Sequence, residues 1–338
     1  MHLHVLANPH GITDLQYRME PFNIAVSKFV TNMSRLGWEI VHYGHELSQV
    51  DSEHVTVVSA AEIPTPAPDT LFPHNPAVAK LFGQRVNSAL LKNTQPGDAV
   101  LCFYGSDHYD AVQNIPGVLV IEPSIGYRAE AVFAPYRVFT SYAQMHYHYG
   151  KNNLLHTPSW TDDVIPNSFT PNEFEYRDNK EDYLLYLGRV SGEKGIDIAI
   201  QTAQAAGRRL IIAGPGHVDS VPVGVEMFGY ADVNQRRTLL AGAAALIAPT
   251  LYIEPFGNIV VEAAMSGTPV LTTDWGGFTE TVVQGRTGFR CRSPEEFAQA
   301  VGRLPEIHSW ACRDWAMKNY SDSVVHQKFD QYFKRIQQ

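Results

Sequence analysis

Apolar residues in the first half of the chain alternate between short continuous runs and longer stretches at helical spacing. The short runs, such as Leu3 to Ala7 and Ala99 to Tyr104, predict strands that are buried on both faces of a sheet. The longer stretches, such as Phe22 to Leu36 and Ala77 to Lys92, predict helices that pack on that sheet. This alternation predicts an α/β domain of the doubly wound kind with a parallel sheet.

The same alternation starts again after a polar, proline-containing stretch near residues 159–180. A new buried strand is predicted from Tyr183 to Leu187, and helices and strands alternate beyond it to about residue 320. The change of character predicts a boundary between a first domain at residues 1–165 and a second domain at residues 175–320. A length of 338 residues is consistent with two domains, each of which can bury a core.

Charge and cysteine content exclude some classes of protein. The formal net charge is −9, with the acidic excess in the first half, and such a surface disfavours a nucleic-acid partner. Peripheral contact with a membrane stays open, although no feature supports it. The three cysteines lie far apart, the first residues do not form a leader peptide, and no apolar run approaches the ~18 residues of a spanning helix. These features predict a cytoplasmic protein.

The most informative stretch of the chain runs from Glu254 to Glu262. A helix is expected to begin near Gly257, so that the N–H groups of Gly257, Asn258 and Ile259 point at an anion such as a diphosphate. Phe256 belongs to the same turn and is placed with this donor-binding group. An ionised glutamate accepts two hydroxyl groups from a diol, as acidic residues do with ribose in dinucleotide sites. The spacing predicts a sugar–diphosphate–ribose ligand.

Two cations follow the predicted strand that begins at Tyr183. Arg189 and Lys194 come after its carboxyl end, which is the edge of an open α/β sheet where ligands bind. Both are predicted to stabilise the negative charge that develops on a departing diphosphate. Gly214 and Gly216, after the next strand, are predicted to lie on the same donor side.

In their order along the chain, these motifs resemble those of the retaining family 4 glycosyltransferases of the GT-B fold, which carry an E-x7-E motif. The resemblance is strong over roughly residues 182–320 and loose over the first 150. The matching segments are Leu187 to Arg189, Glu193 to Gly195, Ile212 to Gly216, Glu254 to Glu262, and Asp274 to Gly277 with Glu280, Thr287 and Gly288. The resemblance implies two Rossmann-like domains that face each other across a cleft. It also implies that the C-terminal helix, at about residues 322–338, crosses back to the first, acceptor-side domain.

The resemblance implies roles for individual residues as well. It implies that the protein is a retaining enzyme that moves a sugar from a nucleoside-diphosphate sugar to an acceptor. It also implies that Glu254 contacts the donor sugar and that Glu262 contacts the ribose. A histidine near a strand end of the first domain would support a sugar hydroxyl or the positive charge of the transition state. His108 is the candidate for this role, and His146 and His148 are the competing choices.

The loop after the first strand departs from the family pattern. Typical members have a pair of glycines where the backbone approaches the donor phosphate and the acceptor, whereas this chain has Gly11 alone. Either the loop reaches the cleft through His10 and Tyr17, or the acceptor site has been rebuilt. The sequence therefore leaves open whether the acceptor is a sugar, a lipid or a small molecule.

No metal or cofactor is expected beside the nucleotide sugar. The chain has no Asp-x-Asp motif for a divalent ion, so basic side chains and a helix dipole are expected to take that role. Three alternatives remain: another GT-B enzyme, such as a phosphorylase or a sugar-nucleotide epimerase; a non-catalytic sugar-binding relative; and an NAD-dependent oxidoreductase. The oxidoreductase would use the segment Gly214 to Gly216, which lacks the third glycine of a dinucleotide motif.

Overall fold

The computed structural model describes residues 1–17, 20–64 and 72–337, which form two compact units. The first unit comprises the described residues up to Thr140, then Met145–Ser168 and the residues from Val325 onward. The second unit comprises Ser141–Gln144 and Phe169–Val324. The assignment of Ser141–Gln144 to the second unit has no counterpart in the sequence pattern.

The first unit is built on a seven-stranded sheet of order β3-β2-β1-β4-β5-β6-β7, in which every neighbouring pair is parallel. Its strands are β1 Leu3–Leu6, β2 Ile40–His45, β3 Glu53–Val58, β4 Ala99–Cys102, β5 Leu119–Ile125, β6 Tyr136–Phe139 and β7 Asp163–Val164. Its helices include α1 Pro21–Arg35 and α2 Pro76–Asn93, and α3 Tyr142–Lys151 lies mostly within it. All residues of β1 and β4 are buried, as their continuous apolar pattern predicts.

The second unit has a six-stranded parallel sheet of order β10-β9-β8-β11-β12-β13. Its strands are β8 Tyr183–Leu187, β9 Arg209–Ala213, β10 Val225–Gly229, β11 Ala245–Ala248, β12 Val270–Thr273 and β13 Gly288–Cys291. Its helices are α4 Ile196–Ala205, α5 Val233–Gly242, α6 Asn258–Met265, α7 Phe278–Thr281, α8 Pro294–Gly302 and α9 Ser309–Tyr320. The sequence prediction of two doubly wound Rossmann-like domains is confirmed.

The last helix, α10, spans Asp322–Ile336, and its apolar face belongs to the core of the first unit. Phe329 and Phe333 lie in that core, and both rings contact Phe29 of α1 edge-to-face. Trp38 also donates a hydrogen bond from Nε1 to Asp330 of α10 at 3.1 Å. The C-terminal helix therefore returns to the first unit, as expected.

Four elements escaped the sequence pattern because they are short or their apolar period is weak. The helix α3 contains a run of tyrosines and histidines, β7 has only two residues, β13 has four residues including a charged Arg290, and α9 has no clear apolar period. The helix α7 is a single turn. Within the described parts of the chain, no helix combines the length and the apolar character needed to cross a membrane.

Candidate functional site

The loop between β11 and α6 is held by hydrogen bonds from the end of β12 and from the segment that follows it. Thr273 donates a side-chain hydrogen bond to the carbonyl of Thr250 at 2.8 Å, and the Trp275 indole donates to the carbonyl of Tyr252 at 3.2 Å. The N–H of Gly277 donates to the carbonyl of Glu254 at 2.7 Å. These bonds fix the backbone that carries Glu254. The Asp274 to Gly277 segment therefore has a structural role in positioning this loop.

A second loop, Gly192 to Gly195, packs directly against the first. Gly195 has φ +74°, and a Cβ there would lie 2.0 Å from the carbonyl oxygen of Pro249. Only glycine adopts this conformation at such close approach. The N–H of Leu251 donates to the carbonyl of Glu193 at 2.9 Å. This backbone contact brings the side chain of Lys194 to Glu254.

Lys194, Glu254 and Tyr252 form a compact polar cluster. Lys194 Nζ lies 2.7 Å from Glu254 Oε2, and the Tyr252 hydroxyl donates to the same oxygen at 3.0 Å. The ammonium also lies 4.7 Å from the centre of the Tyr252 ring. Burial lowers the pKa of Lys194, but the charge and hydrogen bond of Glu254 and the contacts of Tyr252 outweigh burial and raise the pKa above its usual value. Lys194 is therefore a cation at neutral pH.

The helix α6 begins at Asn258, directly after this loop, and Gly257 precedes it with φ +85°. The first N–H groups of a helix have no carbonyl partner within the helix and point out of its N-terminus. Gly257 thus directly precedes the first helical residues, Asn258 and Ile259, and their role in binding a diphosphate stays a prediction. The side chain of Phe256 does not line the loop surface, because it is buried in the core and stacks on Phe169. Phe256 can therefore contribute to a donor site only through its backbone.

Glu262 lies one turn into α6 and already has a cationic partner. Arg236, on α5, places a guanidinium nitrogen 2.5 Å from Glu262 Oε2. The negative charge of Glu262 raises the pKa of Arg236, and this effect outweighs burial, which lowers the pKa. This pair could not be predicted from the sequence, because Arg236 belongs to no motif and meets Glu262 only through the packing of α5 on α6.

Three further residues of the predicted site, Arg189, Gly214 and Gly216, have contacts within the second unit. Arg189 is 68% exposed and pairs with Glu193 at 3.5 Å, on the same loop as Lys194. A Cβ at Gly214 would lie 1.9 Å from the carbonyl oxygen of Gly188, and one at Gly216 would lie 2.9 Å from that of Val190. Packing between these two loops accounts for both glycines. A bound dinucleotide is therefore not required to explain them.

His108, predicted as the supporting histidine, is enclosed within the first unit. Its side chain has no exposure, its Nε2 donates to the carbonyl of Ala7 at 2.9 Å, and its Nδ1 accepts from the N–H of Tyr104 at 3.4 Å. Burial lowers its pKa to about 4, so the ring is neutral. With both nitrogens on the backbone, His108 offers no group to a sugar hydroxyl, and its assignment is corrected to support of the fold.

The competing histidines lie on α3. His148 is buried and contacts Arg137 through Nε2 at 3.3 Å and Asn152 through Nδ1 at 3.2 Å. These contacts make His148 part of the packing of the first unit. His146 is exposed.

Gly11, predicted on the donor side, and His10 and Tyr17, predicted on the acceptor side, follow β1. A Cβ at Gly11 would lie 1.9 Å from the ring of Phe72, and Tyr17 is 5% exposed with its ring centre 5.4 Å from that of Phe72. Packing therefore explains Gly11 and Tyr17. His10 is different. Among the described residues, it lies beside Asp107 and His74, and these three side chains could together hold a metal ion. The expectation that no metal acts on the diphosphate concerns the second unit and stays a prediction.

Comparison with known proteins finds a family match over most of the second unit. Residues 181–306 match the model of the family described as glycosyl transferases group 1, which covers Lys194, Arg236, Glu254 and Glu262. The glycogen synthase of Mycobacterium tuberculosis is 36% identical over 139 residues, which are 37% of this chain and 33% of that protein. The chain spans 33% of the length of this relative and 51% of the length of a glycosyltransferase of Methanocaldococcus jannaschii, to which it is 25% identical over 203 residues.

Solved structures resemble the chain along its whole length. Sucrose-phosphate synthase from Thermosynechococcus elongatus has a TM-score of 0.72 at 15% identity and covers 99% of both chains. HepE of Anabaena, in complex with UDP and glucose, has a TM-score of 0.68 at 14% identity and covers 99% of both chains. These similarities show that the chain has the GT-B fold.

The close contact at Gly195 leads to a prediction about stability. Gly195→Ala forces a side chain into both a left-handed backbone conformation and the carbonyl of Pro249, so the free energy of unfolding should fall by more than about 1 kcal/mol in urea denaturation. Gly192→Ala is the matched control, because a Cβ at Gly192 meets no atom within 4 Å and its φ is not positive. Equal stability of the two variants would contradict the proposed loop contact.

Proposed function

We propose that this protein is a retaining glycosyltransferase of family 4, which transfers a sugar from a nucleoside-diphosphate sugar to a sugar, lipid or small-molecule acceptor. The observation that carries the proposal is the Lys194–Glu254 pair at 2.7 Å, on loops fixed beside the N-terminus of α6. Glu254 and Glu262 are the two carboxylates of its E-x7-E motif. A cytoplasmic location, expected from the separated cysteines, is part of the same proposal.

The diphosphate binds to Lys194 and to the amides at the start of α6. An ammonium has three N–H donors, and Glu254 takes one of them, so Lys194 keeps donors for phosphate oxygens. Its side chain is 21% exposed, which leaves it accessible from solvent. Arg189, whose side chain is 68% exposed, adds a second positive charge from the same loop. As the bond to the sugar breaks, charge grows on the β-phosphate, and these groups stabilise it more strongly than they stabilise the bound donor.

The two glutamates hold the sugar and the ribose. Glu254 is oriented by Lys194 and Tyr252, which share one carboxylate oxygen, and it accepts hydrogen bonds from hydroxyl groups of the transferred sugar. Glu262 accepts from the ribose hydroxyls while Arg236 holds its Oε2. Arg236 thus keeps the carboxylate in one orientation before the nucleotide binds, which reduces the ordering that binding requires.

The proton of the acceptor hydroxyl goes to the leaving phosphate. His108 is neutral and fully engaged with the backbone, so it does not serve as a base. We therefore assign acceptance of the proton to a β-phosphate oxygen on the face where the acceptor attacks, as the resemblance to retaining enzymes implies. Retention of configuration follows from attack on the face that the diphosphate leaves.

The complex of HepE with UDP and glucose makes UDP-glucose the first donor to examine. Thermal stabilisation by a panel of UDP-, GDP- and ADP-linked sugars would identify the donor, because a ligand at 100 times its dissociation constant adds about 2.7 kcal/mol. Release of the free nucleoside diphosphate on addition of an acceptor would then distinguish a transferase from a phosphorylase, an epimerase or a non-catalytic binding protein.

Removing either partner of the central pair should slow turnover. We expect Lys194→Ala and Glu254→Gln each to lower kcat by at least ~10²-fold, on the scale of a lost electrostatic contact in the transition state, measured as release of nucleoside diphosphate. Lys318→Ala is the control, since Lys318 is 71% exposed and pairs only with Asp314 among the described residues. Rates close to those of the unmodified protein in Lys194→Ala would refute the site.

Donor binding should not need a divalent ion. Because a lysine and a helix N-terminus replace the metal, the Kd of the nucleoside diphosphate should change by less than about 2-fold between EDTA and excess Mg²⁺ in calorimetry. Loss of binding in EDTA, with recovery on addition of Mg²⁺, would show that the diphosphate is held through a metal.

A further inference from the structure

Three loops of the first unit bring polar side chains together at one edge of its sheet. His10 follows β1, Asp107 lies in the 3-10 segment Gly105–Val112 after β4, and His74 directly precedes α2. β1 and β4 are neighbouring parallel strands, so the loops at their carboxyl ends meet at the same edge. The N–H of His10 donates to Asn8 Oδ1 at 2.9 Å, which fixes the turn that carries His10.

The donor atoms have the separations of metal ligands. His10 Nε2 and His74 Nε2 each lie 3.2 Å from Asp107 Oδ2, and the ligand atoms of all three residues lie within 4.8 Å of one another. In a tetrahedral zinc site, bond lengths of roughly 2.0 to 2.2 Å place neighbouring ligand atoms about 3.3 Å apart. Two of the three separations therefore match before any side chain moves.

The residue types suit the same ion. Two imidazoles and one carboxylate are ligands of zinc, with a fourth position open to water or another molecule. The His10 side chain is 2% exposed and that of Asp107 is 22% exposed, so the ion would be partly shielded, while His74, at 60%, leaves an approach from solvent.

An ordinary ion pair between His10 and Asp107 explains the cluster less completely. Such a pair needs one imidazole, whereas here a single carboxylate oxygen faces two. An ion bound to that oxygen and to the Nε2 atoms of His10 and His74 would account for the arrangement of all three side chains.

We propose that His10, His74 and Asp107 form a binding site for a divalent transition-metal ion of the zinc class. The ion links the loop after β1, the loop after β4 and the segment before α2, and it thereby stabilises the first unit. This site uses none of the residues that carry the proposed transfer reaction, such as Lys194 and Glu254 of the second unit.

Zinc titration of the full-length, chelator-treated protein tests the proposal. Calorimetry with Zn²⁺ should find one equivalent per chain, and His74→Gln and Asp107→Asn should each weaken binding by at least ~10-fold. His156→Gln is the matched control, because His156 is an exposed histidine of the same unit outside the cluster. The control should keep the affinity of the unmodified protein.

A second measurement reports the ligands directly. Co²⁺ in place of Zn²⁺ should give the visible bands of a four-coordinate site in the unmodified protein and in His156→Gln, and these bands should be lost in His74→Gln. Because His74 is largely exposed, this substitution should leave the circular dichroism spectrum unchanged. The proposal is overturned if the unmodified protein takes up no zinc, or if uptake is the same in His74→Gln and Asp107→Asn as in the control.

Discussion

The backbone contact between the loops Gly192 to Gly195 and Pro249 to Glu254 is the constraint on which the candidate site depends. Gly195 touches the carbonyl of Pro249, and Leu251 bonds to the carbonyl of Glu193, so the two loops are joined without any help from side chains. These main-chain contacts therefore place the side chains of Lys194 and Glu254 next to each other. A site whose geometry is set by the backbone loses little entropy when a ligand binds.

The Lys194–Glu254 pair makes more sense as preparation for a ligand than as a source of stability. Both side chains are mostly buried, at 21% and 15% exposure, and taking two charges out of water costs much of what their attraction returns. A cation held in place with unused donors needs no reorganisation when charge develops nearby. Arg236 and Glu262 form a similar charged pair one helical turn into α6, where we propose that the ribose binds.

The sequence predicted the sheets and selected Lys194 and Glu254 as site residues because both leave local signals, but it did not predict that these two side chains pair. Short, mostly apolar runs such as β1 and β4 are typical of buried strands, and Lys194 and Glu254 lie in ordered motifs after strands. The Arg236–Glu262 pair left no signal, since it depends on how α5 packs against α6. Tyr252 had a weak one, because a residue two positions before Glu254 in an extended loop lies on the same side.

Glycines and histidines were the main source of error. A glycine required by a neighbouring backbone, as at Gly214, looks the same in a sequence as one required by a phosphate. His108 follows a strand end as a catalytic histidine would, yet its ring is used to tie Ala7 to Tyr104. Such cases separate only when the partner of each polar atom is known.

The most direct measurement is the preference of the protein for a nucleoside diphosphate over the corresponding monophosphate, with and without the Lys194 side chain. If Lys194 and α6 grip the β-phosphate, calorimetry should give a Kd at least ~10-fold lower for the diphosphate, and Lys194→Ala should remove most of that preference. An undiminished preference in Lys194→Ala, or no binding of any nucleoside diphosphate, would contradict the account.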